Sequence, residues 1–410
     1  MAGYSPRTFE KLFSPCHFLV TGRILGQAPS RGLMRVGVVA GEPSGDYLGA
    51  GLIEALSRRI PEIELVGVGG PLMERAGMKK LYDMERISVM GLDELLQSVR
   101  DILRIRRALY RYFLEQEISL FVGIDVPDFN LGLEGKLRQK GVTTVHYVSP
   151  TVWAWRGYRI RKIKRSVSHM LTLFPFEASY YERHGVPVDF VGHPIADQVD
   201  KDYDKAEIRA GLGMPTEGTR IAALLPGSRM IELQKLGELF IEVARELGRR
   251  IPDIRFVAPF ANDETRSYFQ SLLDKNPGVR IDVVDGMSRT VIAASDAALL
   301  ASGTAALEAA LLRVPMVVTY KGSWVSAVLV RMLAHVDYFS MPNHLLDEPI
   351  VPEFFQADAT VENLVGGMSR YLLDQEYSRT VSDSFGAIIS ALCCGANERA
   401  AEVVASLITD

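Results

Sequence analysis

The chain has 410 residues, of which 48% are hydrophobic and 23% are charged, and its formal net charge is -4 at pH 7. This composition is typical of a globular protein with a large core, the length favours roughly two or three domains, and the charge argues against a generally basic nucleic-acid-binding protein. The three cysteines, Cys16, Cys393 and Cys394, form neither a disulfide framework nor a metal-binding spacing, so a reducing, cytoplasmic compartment is expected.

The sequence contains no apolar run that is long enough to span a bilayer. The best candidate, residues 291–318, is interrupted by Asp296, Glu308 and Arg313. Residues 1–33 differ from the rest because they carry four basic residues and the single acid Glu10. They resemble either a targeting peptide or an extension from an upstream start codon; we favour the extension, because Met34 begins a much better fold signal, and expect disorder in either case.

From residue 35 onward, strands and helices alternate. Residues 35–40 form a predicted buried strand, residues 41–46 a tight Gly-rich loop, and a helix with one apolar face follows. This order is the opening of a nucleotide-type βα unit, but the loop matches neither the dinucleotide fingerprint nor the P-loop. Two interpretations stay open: the glycines serve only the turn, or Glu42, Ser44 and Asp46 face a substrate.

A stripe of arginines marks the predicted helix in residues 89–113. Arg100, Arg104, Arg107 and Arg111 recur at helical spacing beside apolar residues. This layout is typical of a helix that rests on an anionic lipid surface. A helix packed on the core with a solvated basic edge has the same pattern and is the commoner case, so both interpretations stay open.

The next predicted strand stops at a carboxylate. Residues 120–124 are apolar or small, Asp125 follows them, and Pro127 breaks the run. Because the chain just past a parallel strand lines the ligand crevice, Asp125 is a candidate catalytic group. Asp128 and Asn130 lie where we expect the following helix, residues 131–140, to be capped, although Asp128 is also a candidate ligand of the substrate.

The remainder of the first half is predicted to alternate strands (143–149, 170–174, 188–191) with a helix (177–184). A basic run follows the paired tryptophans Trp153 and Trp155, which suits nucleic acid, a phosphorylated lipid, or a packed loop beside a solvated helix. His146 is expected to be a core residue. Polar residues 197–205 resemble a hinge. We therefore predict an N-terminal Rossmann-like domain at residues 34–195, which contains the candidate catalytic Asp125 and the arginine stripe.

The second half repeats the pattern, so we predict another doubly wound domain at residues 196–365. Its predicted strands are 220–225, 255–258, 280–284, 296–301 and 315–319. Residues 366–410 are predicted to form a helical tail that packs on the N-terminal domain or on a partner subunit. The fold class is thus α/β, with two Rossmann-like domains.

Two sites in the second half suit a phosphorylated ligand. In Ser302-Gly303-Thr304, backbone amides at a helix N-terminus face the crevice, and in the loop 226–229 the planar guanidinium of Arg229 suits phosphate. Glu308 could accept hydrogen bonds from a ribose diol. Each signal is weak alone, but together with Asp125 they suit a nucleotide-diphosphate donor and an activated hydroxyl acceptor.

Five motifs resemble those of the lipid-A-disaccharide synthase family, and the resemblance runs in order from about Met34 to the C-terminus. They are Ala40-Gly-Glu-Pro-Ser-Gly-Asp46, Gly123-Ile-Asp-Val-Pro-Asp-Phe-Asn130, His146-Tyr-Val-Ser-Pro-Thr-Val-Trp-Ala-Trp-Arg156, Leu225-Pro-Gly-Ser-Arg229 and Ala301-Ser-Gly-Thr-Ala-Ala-Leu-Glu308. The resemblance implies a GT-B fold with a central cleft between the domains. It also implies inverting transfer of 2,3-diacylglucosamine from its UDP derivative to 2,3-diacylglucosamine 1-phosphate, giving a β-1′,6 link and UDP.

The resemblance also implies roles for individual residues. Asp125 matches the general base, and Arg229 matches an arginine near the UDP diphosphate. The substrate-binding residues expected on the same basis, or from their place beside these groups, are Glu42, Ser44, Asp128, Ser228, Ser302, Gly303, Thr304, Glu308, Asn343 and Gln356. No cofactor, metal ion or nucleic acid is implied. The chain departs from the family after Asn343, because residues 344–348 lack an arginine that usually follows.

The family resemblance further implies peripheral attachment to the cytoplasmic face of the inner membrane and a homodimer that exchanges its C-terminal segment. The arginine stripe fits the first expectation. Two alternatives remain: another GT-B enzyme acting on UDP-N-acetylglucosamine, such as a 2-epimerase or a transferase, and a non-catalytic binder of acyl-sugar phosphates.

Overall fold

A computed structural model describes residues 34–87, 95–153, 157–200, 203–322 and 338–409. These residues form two compact units. The N-terminal unit comprises residues 34–197 and 392–409, and the C-terminal unit comprises residues 198–391. The predictions for residues 1–33, for the first part of the arginine-stripe helix (89–94), and for Trp155 lie outside the described residues.

The N-terminal unit is built on a parallel sheet of seven described strands in the order β3-β2-β1-β4-β5-β6-β7. The strands are β1 (Met34–Ala40), β2 (Ile63–Gly69), β3 (Lys79–Asp83), β4 (Leu120–Ile124), β5 (Thr143–Tyr147), β6 (His169–Thr172) and β7 (Val188–Phe190). The helices are α1 (Pro43–Arg59), α2 (Pro71–Arg75), α3 (Leu95–Glu115), α4 (Pro127–Arg138), α5 (Ile160–Ser166), α6 (Pro175–Arg183) and α7 (Pro194–Gln198).

The C-terminal unit is built on a parallel sheet of six described strands in the order β10-β9-β8-β11-β12-β13. The strands are β8 (Arg220–Leu225), β9 (Ile254–Phe260), β10 (Ile281–Asp285), β11 (Ala297–Ala301), β12 (Met316–Tyr320) and β13 (Glu353–Phe355). The helices are α8 (Lys205–Gly211), α9 (Met230–Arg250), α10 (Asp263–Asp274), α11 (Ser288–Ala294), α12 (Thr304–Leu311), α13 (Met341–Leu345), α14 (Val361–Leu373) and α15 (Gln375–Leu392).

The strand order reverses once in each sheet, between β1 and β4 and between β8 and β11. In the first sheet Ala40 is in register with Ile124, and in the second Leu225 is in register with Leu300. Within each sheet, the loops that follow the two strands therefore begin next to each other at the same edge. Such switch points, at the carboxyl ends of parallel strands, are where doubly wound folds bind ligands. The prediction of two Rossmann-like sheets is confirmed.

The last helix, α16 (Ala396–Thr409), belongs to the N-terminal unit. Its residues Ala400, Ala401 and Val404 are fully buried and join the core beneath α1. Glu398 also forms an ion pair with Arg58 of α1 at 2.6 Å. The helix thus closes one face of the N-terminal sheet. None of the helices in the described ranges has both the length and the apolar composition that a membrane-spanning segment requires.

Two predicted loop boundaries are wrong. The loop after β1 was expected to run from Gly41 to Asp46, but α1 already begins at Pro43. Helix α4 begins at Pro127, so Asp128 lies inside its first turn and is not the capping residue. Proline explains both shifts, because it fits the first helical position, where no backbone amide is needed.

The edge strands β3 and β13 were not predicted. All residues of β3 and β13 are exposed or only half-buried, so neither strand has the continuous apolar run that marked the central strands. A strand at the edge of a sheet pairs on one side only, and its identity depends on the neighbouring strand. The other two edge strands, β7 and β10, were predicted, so an edge position alone does not prevent a strand from being identified.

Candidate active site

Asp125 is the first residue beyond β4 and stands beside the loop that follows β1. Its backbone amide donates to the Tyr147 carbonyl at 2.9 Å, which continues the sheet by one residue. Its φ is 52° and that of Val126 is 42°. A left-handed conformation is uncommon for any residue with a side chain and an outlier for a β-branched one, and such strain clusters at functional sites. The fold holds this half-buried carboxylate in a conformation that costs energy.

Asn130 anchors the strained segment from below. Its side chain is fully buried, and its amide nitrogen donates to the Asp125 carbonyl at 2.8 Å and lies 3.3 Å from the carbonyls of Ile124 and Val39. The expectation that Asn130 caps a helix is therefore wrong. It lies in the first turn of α4, facing the core, and positions the Asp125 backbone. Sequence analysis missed this role, although the Asp-to-Asn spacing within one motif carried the signal.

Asp128 points away from this network. Its side chain is exposed and forms an ion pair with the guanidinium of Arg159. An acidic side chain in the first turn of a helix is also favoured by the helix dipole. Asp128 therefore supports the rim of the N-terminal site and contributes no cap.

A buried hydrogen-bonded pair lies next to the Asp125 loop. Glu134 and His146 are fully buried, and the Glu134 carboxylate lies 2.7 Å from Nδ1 of His146. Burial raises the pKa of the Glu134 carboxyl. A Cβ on Gly123 would lie 2.3 Å from Glu134, so only glycine fits at this point of β4. The prediction that His146 is a core residue is confirmed.

The loop after β1 splits into exposed and buried residues. Glu42 and Ser44 are exposed at the carboxyl end of β1, beside the switch point. Asp46 is 2% exposed, and its carboxylate accepts hydrogen bonds from the amides of Gly70, Leu72 and Met73 at 2.9–3.0 Å. Asp46 therefore has a structural role, because it caps α2 and does not face a substrate. Glu42 and Ser44 are accessible to a ligand.

Glu177 is a second carboxyl near this edge that sequence analysis did not single out. It lies in α6, just beyond β6, and accepts hydrogen bonds from Trp153 Nε1 and the Phe174 amide at 3.2 Å. Burial raises the pKa of Glu177 to about 7. The tryptophan of the Val-Trp-Ala-Trp motif therefore packs against a carboxyl group that titrates near neutral pH.

We expect Glu177 to make the stability of the chain depend on pH. Its pKa is about 7 in the folded protein against 4.5 ordinarily, so folding favours the protonated form. That contribution is complete below about pH 4.5 and is lost as the pH rises through about 7, a change of about 3 kcal/mol. The unfolding free energy of the wild type minus that of Glu177→Gln should therefore decrease as the pH rises from about 4.5 to above 7. A constant difference from pH 4.5 to 7.5 would contradict the assignment.

In the C-terminal unit, the loop after β8 presents Ser228 and Arg229, both exposed. The Glu232 carboxylate accepts from their backbone amides at 3.1 and 3.3 Å and so fixes the turn into α9. Gly227 has a φ of 127°, and a Cβ there would meet Glu232 at 2.5 Å. The turn thus requires glycine and leaves the guanidinium of Arg229 at the start of a helix.

The loop after β11 stands beside it at the switch point. The Ser302 amide donates to the Thr319 carbonyl at 2.9 Å, and α12 begins at Thr304. A Cβ on Gly303 would meet nothing within 4 Å, so the space above it is open. The first amides of a helix have no intrahelical partner and readily bind anions.

Glu308 lies one turn into α12 and already has a partner. Its carboxylate accepts from Arg289 Nε at 2.8 Å, and its side chain is 14% exposed. Arg289 lies in α11, beyond β10, and sequence analysis did not identify it. The pair therefore places a second guanidinium near the predicted ribose site.

Asn343 and Gln356 differ in what they can offer a ligand. Asn343 is 4% exposed, and its amide bonds to the backbone of Ile350 and Val351 and to Glu353. It shapes the segment before β13. Gln356, just after β13, has a φ of 52°, and its buried amide nitrogen makes no hydrogen bond within the described part of the chain. The side-chain amide of Gln356 therefore has N–H donors available at the edge of the sheet where the strands end.

The described residues contain no group of three or more His, Cys, Asp or Glu side chains that could hold a metal ion. Acidic residues alternate at positions 200, 202 and 204, a spacing that can bind metals. The Asp204 carboxylate, however, caps α8 by accepting from the amides of Ala206 and Glu207 at 2.8 and 3.4 Å. Its geometry is that of a helix cap.

Two parallel, doubly wound sheets are the architecture of the GT-B fold. The chain is similar in fold to an S. aureus MnaA–UDP co-structure, with a TM-score of 0.61 and 14% identity over 92% of this chain and 98% of that one. It is also similar to a Neisseria meningitidis UDP-GlcNAc 2-epimerase bound to UDP-GlcNAc, with a TM-score of 0.59 and 13% identity over 92% and 100% of the two chains. At these identities the likeness shows the fold alone.

The family follows from the sequence itself. The family model for lipid-A-disaccharide synthetase matches residues 36–405. The chain is 46% identical to a lipid-A-disaccharide synthase of Pseudomonas aeruginosa over 92% of this chain and 98% of the relative, and 44% identical to one of Alcanivorax borkumensis over 91% and 97%. The chain belongs to the lipid-A-disaccharide synthase family, and it is a glycosyltransferase of lipid A biosynthesis. The predicted family and enzyme class are confirmed.

Proposed function

We propose that the chain transfers 2,3-diacylglucosamine from UDP-2,3-diacylglucosamine to the 6-hydroxyl of 2,3-diacylglucosamine 1-phosphate, with inversion at the anomeric carbon. One observation carries the proposal: the two predicted catalytic residues and a predicted substrate-binding residue follow strands at the switch points of the two sheets. Asp125 follows β4, Arg229 follows β8, and Ser302 follows β11. These groups supply a base in the N-terminal unit and an anion-binding site in the C-terminal unit.

The C-terminal unit would bind the UDP part of the donor. The amides at the start of α12 and the guanidinium of Arg229 suit a diphosphate, and Glu308 suits a ribose diol. Since Glu308 already pairs with Arg289 at 2.8 Å, that arginine would hold the carboxylate in place for the ribose. The unused amide of Gln356 would donate to a sugar or phosphate oxygen, and Asn343 would act only by shaping its segment.

The N-terminal unit would activate the acceptor. The Asp125 carboxylate takes the proton of the 6-hydroxyl as its oxygen bonds to the anomeric carbon and the bond to UDP breaks. A single displacement of this kind turns an α-linked donor into a β-linked product. The charge that develops on the leaving diphosphate is stabilised by Arg229 and by the amides of α12, which are already oriented before the reaction.

Purified protein incubated with the UDP donor and the 1-phosphate acceptor should release UDP and form the disaccharide 1-phosphate in equal amounts. The same protein with UDP-N-acetylglucosamine alone tests the 2-epimerase alternative, which predicts epimerised sugar. Binding of either acyl sugar without any product, by protein shown to be folded, would instead support a non-catalytic binder. Both latter outcomes would overturn the proposal.

We also propose that the arginine stripe attaches the protein peripherally to the cytoplasmic face of the inner membrane. Arg100, Arg104, Arg107 and Arg111 are all exposed on α3. The opposite face of the helix is buried in the core, so in the described part of α3 the attraction to anionic headgroups would be electrostatic.

We further propose a homodimer that exchanges its C-terminal helix. In such a dimer, the contacts between α16 and α1 would join two subunits.

Charge reversal in the stripe tests the membrane proposal. Arg104→Glu/Arg107→Glu should weaken binding to vesicles with anionic headgroups by about tenfold or more, since each basic residue near the surface contributes about 1 kcal/mol. Arg249→Glu/Arg250→Glu, on exposed positions of α9, is the matched control. Sedimentation with vesicles in low salt measures the effect. Equal binding by the two variants would remove the stripe from the membrane contact.

A further inference from the structure

We propose that the C-terminal unit contains a second anion-binding site, for a small soluble molecule that carries one or two phosphate groups. The site is a cavity of about 280 Å³ at the amino ends of β8, β11 and β12. Its lining includes Lys205, Arg220, Arg313 and Arg379. None of these residues belongs to the predicted transferase site.

The cavity lies at the opposite edge of the sheet from the donor-binding loops. Arg220 is the first residue of β8, and Asp296 and Pro315 immediately precede β11 and β12. Arg229 and Ser302 follow the other ends of β8 and β11. Because a strand rises about 3.3 Å per residue, five or six residues separate the two edges by roughly 16–20 Å. A ligand in the cavity would not compete with one at the switch point.

The charge of the cavity is strongly positive. Its acidic residue, Asp296, already forms an ion pair with Arg209 at 2.9 Å, accepts a hydrogen bond from the Ile221 amide at 2.9 Å, and lies 3.8 Å from Lys205. Within the described residues, Arg220, Arg313 and Arg379 form no ion pair. Three guanidinium groups around one cavity therefore lack a carboxylate partner.

Hydrogen-bond donors accompany these charges. Tyr371 lines the cavity, is 2% exposed, and its hydroxyl makes no hydrogen bond within the described part of the chain. Burial raises the pKa of Tyr371, so the hydroxyl stays protonated and can donate. Ser378 and Arg379 come from the first turns of the 18-residue helix α15. A buried polar group without a partner costs stability, and a bound anion would relieve that cost.

The chemistry and size of the cavity select the ligand class. Guanidinium groups bind phosphate through paired hydrogen bonds, and three of them suit more than one phosphate oxygen. At about 280 Å³ the cavity is at the lower limit of small-molecule sites and has no room for acyl chains. The expected occupant is thus phosphate, pyrophosphate or a small phosphorylated metabolite.

Calorimetric titration of the full chain with sodium pyrophosphate tests the proposal. Saturating UDP is included so that the donor site is filled. The wild type should bind pyrophosphate, and Arg220→Gln/Arg379→Gln should bind it at least about tenfold more weakly, as expected when two charge-assisted hydrogen bonds are lost. Arg249→Gln/Arg250→Gln removes the same charge from exposed positions of α9 and should bind like the wild type. If the double variant does not fold, Arg379→Glu, at one exposed position, replaces it.

The double variant Arg220→Gln/Arg379→Gln is called the pocket variant. Three outcomes would overturn the proposal: the wild type does not bind pyrophosphate, the wild type and the pocket variant bind it equally, or the control variant loses as much affinity as the pocket variant. A parallel sedimentation with phosphatidic-acid vesicles distinguishes the source of the phosphate. A soluble ligand predicts that the pocket variant binds these vesicles as the wild type does. Loss of vesicle binding by the pocket variant alone would assign the cavity to lipid headgroups and overturn the soluble ligand.

Discussion

Asp125→Ala is expected to lower the rate of sugar transfer by about 10²- to 10⁴-fold, the usual contribution of a positioned general base. The carboxylate stands at the end of β4, on a backbone held at a φ of 52° and anchored by the Asn130 amide at 2.8 Å. Removal of the side chain leaves this backbone network intact. The fold and the affinity for UDP should therefore stay unchanged, because the predicted UDP-binding residues belong to the other unit.

Steady-state kinetics with both substrates measures this effect, and calorimetry measures UDP affinity in the same preparations. Asp101→Ala is the matched control, since Asp101 is an exposed carboxylate on α3 of the same unit. The loss should appear in kcat more than in the UDP dissociation constant. Turnover by Asp125→Ala within tenfold of the wild type would rule out Asp125 as the base.

Asp46→Asn is expected to lower the free energy of unfolding by about 3 kcal/mol. The Asp46 carboxylate is 2% exposed and accepts from three backbone amides at the start of α2. An asparagine has one acceptor oxygen, and its amide group would face donors that it cannot bond. Each buried donor left without a partner costs about 1–3 kcal/mol.

Denaturant unfolding measures how much unfolding free energy Asp46→Asn loses, and hydrogen exchange shows which backbone amides are affected. The amides of Gly70, Leu72 and Met73 should exchange faster in Asp46→Asn, because these are the groups that lose their acceptor. Asp101→Asn, at an exposed position, should change neither measurement. Unaltered exchange at the three amides would show that Asp46 does not hold α2.

Much of the site could be predicted because it depends on local patterns. A run of apolar residues that stops at a polar residue predicts the end of a parallel strand, and such ends share one edge of a sheet. That reasoning placed Asp125, Arg229 and Ser302 at strand ends, where the structure has them. The family motifs added the chemistry, because they fix which polar residues follow which strand.

The supporting residues could not be predicted, since their roles depend on partners far away in the chain. Arg289 reaches Glu308 from another helix, and Glu177 acquires its pKa of about 7 only through burial. Asp46 was equally compatible with a substrate contact until its three amide partners, 24–27 residues away, were known.

The arginine stripe separates the two kinds of information most clearly. The sequence by itself determined that four arginines share one side of a helix, because helical periodicity is a local property. Only the tertiary structure decided where the apolar side goes: Ile105, Leu109 and Phe113 are buried against β-strands and α4. Burial is a property of what packs on the helix, and no pattern within the helix can specify it.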